Sequence, residues 1–423
     1  MQTVQVVFRY SKQYNKHILL GAPRRTLRQG RGIPTPQRPA KAAMERNPML
    51  QKKRWCTGTD IWLLLLCACL STLSILTLFA LGQVRLHTAH YAVVQLAAAC
   101  IGLGCAYLIS LLDYHTLARL WPYHMALTWG AVALTLLRTG PFGIAPEGTD
   151  NFSWIRLPLG MTLQPTEFAK ISFILAFALH LSSVRKELNK PKNLLLLLLH
   201  LAAPILLVHL QGDDGTALVF GAIGFVMLFA AGLSRIILAF ILAAGVSGSI
   251  AMWASGYLKS YQMQRIAALL DIANPAYADI LYQQVQGRIA LGEGGLFGVG
   301  LFSTKHTYVP LQRNDFIFTF LGESLGFLGT LGVVVLLVCL LGRILATARK
   351  APDLLGGLIC VGIFSILAWQ IVVNLGMNLM LTPVIGVTLP FLSAGGTSVV
   401  SLYCCMGLVA GVSRCRKAGQ TTA

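Results

Sequence analysis

A chain of 423 residues that is 55% hydrophobic and only 12% charged lacks the polar surface of a soluble protein of its length, which excludes a large water-soluble core. Its net charge of +19 does not indicate nucleic acid. The excess sits in an acid-poor N-terminal stretch and in short loops between apolar runs, the pattern of cytoplasmic loops under the positive-inside rule. These runs are continuous and about 20 residues long rather than alternating over about ten, so the spans are helices and not the strands of a barrel.

Residues 1–55 are basic, broken by proline and glycine, and read as a disordered cytoplasmic tail with no apolar region suited to a signal peptide. Met44 and Met49 are alternative starts. An all-α, polytopic membrane domain of about ten transmembrane helices is expected over 56–414, followed by a cytoplasmic tail at 415–423. The expected spans are 61–81, 91–112, 122–137, 166–182, 193–210, 215–231, 236–254, 316–342, 354–376 and 397–413. With both termini inside, Arg119, the 185–192 loop, Arg235, the 343–350 loop and the 414–417 stretch all fall in the cytoplasm. Two long segments, 138–165 and 255–315, then lie outside. Loops of such length are uncommon unless functional, and the second holds Gly292, Gly294, Gly295, Gly298 and Gly300, which suit tight turns or close approach to a ligand. The ten cysteines fall almost entirely inside apolar runs or at cytoplasmic ends, lack zinc-site spacing, and read as small packing residues.

Ionisable residues at membrane depth are costly and mark functional candidates. Glu167 and Lys170 are three residues apart at the start of the fourth span, on one helix face, as a structural ion pair or a polar wall for an anionic head group. Asp213 and Asp214 open the sixth span, where acids also serve as caps. Asp315 and Glu323 open the eighth, two turns apart and so on one face. Partial desolvation of Asp315 where the long loop re-enters the membrane would raise its pKa towards that of a useful base; plain capping is the alternative. His200 and His209 lie in apolar surroundings and read as packed core residues.

These segments resemble, in order, the motifs of the SEDS family of peptidoglycan glycosyltransferases, the FtsW/RodA/SpoVE group. Gln164-Pro165-Thr166-Glu167-Phe168-Ala169-Lys170 is similar to QPSEFAK, and Asp213, Gly215 and Thr216 to QPDxGT. Tyr261, Gln264 and Arg265 resemble YxxQR; Tyr282, Gln286 and the glycines at 292–300 resemble YQxxQSxxAIGSGGxxGxG. Asn314-Asp315-Phe316-Ile317-Phe318 with Glu323 and Gly326 is similar to TDFIFAxxxEELG. Pro383, Gly386 and the 389–398 stretch, with Ser393 and Ser398, resemble PxxGxxLPFxSYGGSS. The likeness covers 61–413. The chain departs from the family pattern where a tyrosine becomes Ala394, a glutamate becomes Ser324, a His-Thr pair becomes Arg313-Asn314, and Gly287, Glu293 and Ser153 replace two serines and an arginine.

The resemblance implies polymerisation of lipid II into nascent glycan at the outer face of the cytoplasmic (inner) membrane, with Asp315 as the catalytic base. Glu167, Lys170, Asp213, Arg265, Gln286, Arg288, Glu323, Ser393 and Ser398 are then substrate-binding candidates, and Lys170, Arg265 and Arg288 are candidates for the diphosphate, alone or with a divalent cation (Mg or Mn). It also implies a class B penicillin-binding protein transpeptidase and other divisome or elongasome proteins as partners. Thr388 and Val299-Gly300-Leu301 lean slightly to the FtsW side, Pro383-Val384 with Gly386 to RodA. A lipid II flippase and a non-catalytic scaffold remain alternatives. A secondary transporter outside the family is what the topology alone would suggest.

Overall fold

The computed structural model describes residues 60–84, 90–145, 151–158, 162–255 and 260–420. The expected tail at 1–55, the alternative starts, Cys56 and the last three positions of the C-terminal tail lie outside the described residues, as does the side chain of Tyr261. The helices are α1 (Ile61–Val84), α2 (His90–Leu111), the short α3 (Tyr114–Arg119), α4 (Trp121–Thr135), α5 (Pro165–Ser183), α6 (Pro191–Leu210), α7 (Asp214–Ala231), α8 (Arg235–Ala254), α9 (Ser260–Leu270), α10 (Ala278–Glu293), α11 (Ile317–Arg349), α12 (Leu354–Asn378) and α13 (Gly396–Gln420).

Each expected span coincides with one helix. Seven of these, α1, α2, α6, α7, α11, α12 and α13, are long and apolar enough to cross a membrane. The other three fall short of that measure: α4 has 15 residues, α8 has a shorter apolar stretch at Arg235–Ala251, and α5 carries Glu167 and Lys170 near its start. The multi-pass helical class therefore stands, and the count of ten rests on these three.

Local chemistry sets the helix ends. A proline opens α4, α5 and α6, where its missing N–H costs nothing. Asp213 and Asp353 cap α7 and α12 through the N–H groups of Thr216 and Gly356, and α7 ends on Gly232 in the left-handed region. Among the packed helices, α12 touches α5, α7 and α11, α1 packs on α2 and α11, and α6 lies against α7.

Both long connecting segments are more ordered than simple loops. The first folds as an antiparallel sheet in the order β1 (Phe142–Ile144), β2 (Trp154–Arg156), β3 (Thr162–Leu163), and its Phe152 N–H donates to the Gln211 carbonyl at the end of α6. The second carries α9 and α10, and α10 packs on α11. Its glycine-rich end repairs a break in α11. At Gly326 the backbone leaves the helix (φ 69, ψ −171). The carbonyls of Glu323 and Ser324 are taken by the N–H groups of Val299 and Gly300, at 2.9 and 3.1 Å; those of Gly295 and Leu296 accept from Phe327 and Leu328. The strands approach so closely that a Cβ on Gly298 would overlap the Ser324 carbonyl, and one on Gly326 the Gly298 nitrogen. Irregular backbone at membrane depth is tolerated where protein satisfies it in this way.

Candidate active site

Two re-entrant stretches, 311–316 before α11 and 382–395 before α13, meet beside α12. The first is a tight turn in which the Leu311 carbonyl accepts from Asn314 N–H at 2.9 Å, with Leu311 itself at φ 55, a strained value for a branched side chain. Its main chain is tied to its neighbours at three successive carbonyls. That of Arg313 accepts from Ala394 N–H (2.9 Å), that of Asn314 from the Ser393 hydroxyl (2.6 Å), and that of Asp315 from the side-chain amides of Asn374 (2.8 Å) and Asn378 (3.0 Å). Asn374 also donates to the Val387 carbonyl, so α12 holds both stretches with one side chain. From the other side Gln95 donates to the Ser393 carbonyl and accepts from Gly395 N–H. Gln284 of α10 bridges the carbonyls of Met377 and Thr382. Phe316, Val309, Val384 and Val387 pack together beneath this frame.

Asp315 does not cap α11: the residue in the cap position is Phe316, and no side chain bonds there. The described residues donate no hydrogen bond to the carboxylate, which is half-buried and faces Gly386, a glycine at φ 71 that leaves the space beside it open. Burial pushes its pKa up to about 6; Arg265 opposes that rise and Asp213 adds to it. The same burial raises Asp213, against the Thr216 N–H and Lys170, which favour its charged form. Asp213 thus caps its helix and faces the site at once; its second oxygen accepts from Gln164 at 3.1 Å.

Glu167 and Lys170 form the expected pair, 2.8 Å apart with both side chains nearly sealed from solvent, and Ser401 of α13 donates to the other Glu167 oxygen at 2.9 Å. Lys170 is therefore charge-compensated, yet near enough to act on Asp213. Arg265 donates to the Val384 carbonyl and reaches Asp315 electrostatically. These interactions connect Asp315, Asp213, Arg265, Lys170 and Glu167. Gln286 is half-buried and Arg288 exposed, the latter against the Met380 sulfur, both on α10. The Ser398 side chain is half-buried.

Two residues are spent elsewhere. The Ser393 hydroxyl is consumed by the Asn314 carbonyl and the Leu389 N–H. Glu323 does not share a face with Asp315, because Asp315 precedes the helix; its carboxylate is fully buried, accepting from His306 Nδ1 at 3.0 Å and from Thr307 N–H at 2.6 Å. Of the two histidines expected in the core, His200 stacks among Phe173, Phe177 and His180, whereas His209 is partly exposed and bonds Asp214. The described cysteines are free thiols. Sequence reasoning missed Asn374, Asn378, Gln95 and Gln284; the one visible signal was two amides four residues apart on one face of an apolar run. Among the described residues no three His, Cys, Asp or Glu side chains converge to hold a metal. The pair of carboxylates fits a divalent cation only with oxygens of a ligand completing its shell.

Fold and site together describe a polytopic helical membrane protein in which carboxylates and basic side chains gather where the segments before α11 and α13 meet. A family model described as "Cell cycle protein", FTSW_RODA_SPOVE, matches residues 58–418. The chain belongs to the FtsW/RodA/SpoVE family. It is 32% identical to the Stage V sporulation protein E of Bacillus subtilis, over 85% of this chain and 98% of that protein. It is 35% identical to a probable peptidoglycan glycosyltransferase FtsW of Geobacter sp. (strain M18), over 74% and 83%. Among solved structures it resembles a chain from a peptidoglycan synthase complex, described as coordinating polymerization and crosslinking, with TM-score 0.69 and 27% identity over 85% of this chain and 99% of that one. It also resembles the rod shape determining protein RodA of Thermus thermophilus, with TM-score 0.61 and 28% identity over 85% and 98%.

Proposed function

We propose that this protein is a peptidoglycan glycosyltransferase that polymerises lipid II at the outer face of the cytoplasmic membrane, with both termini in the cytoplasm. The observation that carries the reading is Asp315, a carboxylate with no hydrogen-bond donor among the described residues and a main chain held from both sides; burial pushes its pKa up to about 6. Such a group suits a general base near neutral pH. Asp315 takes the proton of the acceptor's GlcNAc 4-hydroxyl as that oxygen attacks the anomeric carbon of the donor. The bond from that carbon to the diphosphate breaks, and undecaprenyl diphosphate leaves with the bonding electrons. A diphosphate is already stable as an anion, so cationic stabilisation can replace a general acid; Arg265 is the cation beside the base. A divalent cation, if carried in on the diphosphate, would find its protein ligand in Asp213 and would neutralise the leaving charge. Glu167, Lys170 and Ser401 brace the wall behind Asp213.

The working assembly includes a class B penicillin-binding protein, the transpeptidase that cross-links the glycan, together with other division or elongation proteins. The motif details lean to division. The reading is tested by incubating the purified protein with lipid II, with and without the transpeptidase, and resolving the products by length. Glycan strands are expected. A lipid II flippase or a scaffold would give none under any of these conditions.

A further inference from the structure

The turn that leads into Asp315 combines main-chain carbonyls that are hydrogen-bonded at 313–315 with side chains at 312–314 that are not. Asn374, Asn378, Ser393 and Ala394 tie down the carbonyls of 313, 314 and 315. Yet Gln312, 4% exposed, has neither amide atom hydrogen-bonded, and Arg313 Nε and Asn314 Oδ1 are buried with no partner among the described residues. Leaving such groups unpaired is costly, and a native structure keeps them where something else completes them. The Arg313 guanidinium lies over the Tyr91 ring, 4.4 Å from its centroid, and the Tyr91 ring lies against that of His90 at the start of α2, tilted by 37°. An aromatic platform fixes a guanidinium without consuming its charge or its in-plane donors. No ion pair joins Arg313 to Asp315 among the described residues, so the base is not its counter-ion. Nearby cations are differently placed: Lys170 is paired with Glu167, and Arg265 is engaged by the Val384 carbonyl.

We propose that Gln312, Arg313 and Asn314 form a recognition element for the substrate, in which the Arg313 guanidinium and the Gln312 amide N–H donate to its anionic oxygens while the unpaired acceptors Gln312 Oε1 and Asn314 Oδ1 take its hydroxyl or amide N–H groups. This rests on the glycosyltransferase reading for the nature of the substrate, whose anionic oxygens belong either to the diphosphate or to the stem-peptide carboxylates. The planar fork of arginine suits both. The Arg313 carbonyl accepts from the Ala394 N–H at 2.9 Å. Ala394 is small and places no bulky side chain beside the arginine backbone.

The test uses the full-length protein in nanodiscs and compares wild type, Arg313→Gln and Arg313→Lys. Direct binding of a polyprenyl diphosphate is measured beside kcat and KM for lipid II and for lipid II with amidated peptide carboxylates. Arg313→Gln is expected to raise KM about tenfold with kcat within about twofold, and Arg313→Lys to recover part of the loss. Weakened polyprenyl diphosphate binding assigns the anion to the diphosphate. A KM effect that vanishes on amidated lipid II, with diphosphate binding intact, assigns it to the peptide. Wild-type KM and wild-type diphosphate affinity in Arg313→Gln overturn the proposal. Should that variant fail to fold, Tyr91→Leu keeps the charge but removes the platform, and about threefold weaker diphosphate binding or about threefold higher KM for lipid II is expected; wild-type values of both overturn the proposal equally. A wild type that binds the diphosphate through Arg313 but makes no glycan would refute the glycosyltransferase reading and leave this element standing.

Discussion

Asp315 must be ionised to accept a proton, and burial holds its pKa at about 6 rather than at its ordinary 3.8. Activity should therefore rise about tenfold per pH unit below 6 and level off above it. Stability responds in the opposite direction. A carboxyl whose folded pKa is raised binds its proton more tightly in the native state, so its contribution to stability falls as pH rises from 3.8 to about 6 and is flat beyond. Rate–pH profiles paired with thermal melts check both limbs; an acid limb centred near 4 would show that the carboxylate is not desolvated. Glu167 belongs at the same scale. Its pair with Lys170 is nearly sealed from solvent, and removing one partner leaves an uncompensated charge. Glu167→Ala should cost about 3–5 kcal/mol and lower the yield of folded protein as well as activity; a wild-type melting temperature in detergent would show that the pair is not structural. Asp213, Glu167, Lys170 and Asp315 were legible in the sequence because charges in apolar surroundings stand out. Asn374, Asn378 and Gln95 were not, because an uncharged amide in a span looks like any tolerated polar residue until its main-chain partners, dozens to hundreds of positions away, are known.

At the scale of elements, the break in α11 is the least regular feature near the site. The first part of the helix after Asp315 ends at Gly326, and four backbone hydrogen bonds with the 295–300 stretch replace those the helix loses there. Gly326→Ala puts a Cβ into a conformation that only glycine adopts freely and onto the Gly298 nitrogen. It should destabilise the protein by about 1–3 kcal/mol from backbone strain alone, seen as a lowered melting temperature and faster amide exchange over 295–300. Wild-type exchange there would mean that the stretch is not held by the break. The spans themselves were readable from apolar runs, since a membrane demands continuous hydrophobic length. The break was not, because several glycines recur along α11 and nothing in the run marks Gly326 among them, while its repair comes from a stretch some thirty residues upstream. The sheet in 138–165 was missed for a related reason: its strands are two or three residues long, too short to show alternation.

For the whole molecule, the proposed topology puts α9 and α10 on the outer side, opposite the basic loops. Asp279 is exposed near the start of α10, so Asp279→Cys in a background without the native cysteines should react with an impermeant thiol reagent added from outside. Reaction only after the inner face is opened would reverse the topology and move Asp315 to the wrong side of the membrane for chemistry on exported lipid II. The most direct test of the account compares wild type with Asp315→Asn on purified lipid II, in the presence of the transpeptidase. Asparagine keeps the size of the side chain and leaves the carbonyl held by Asn374 and Asn378 untouched. The account predicts a folded, partner-binding variant whose glycan synthesis is at least about a hundredfold slower than that of an active wild type. Undiminished polymerisation by Asp315→Asn would contradict it and pass the role of base to Asp213.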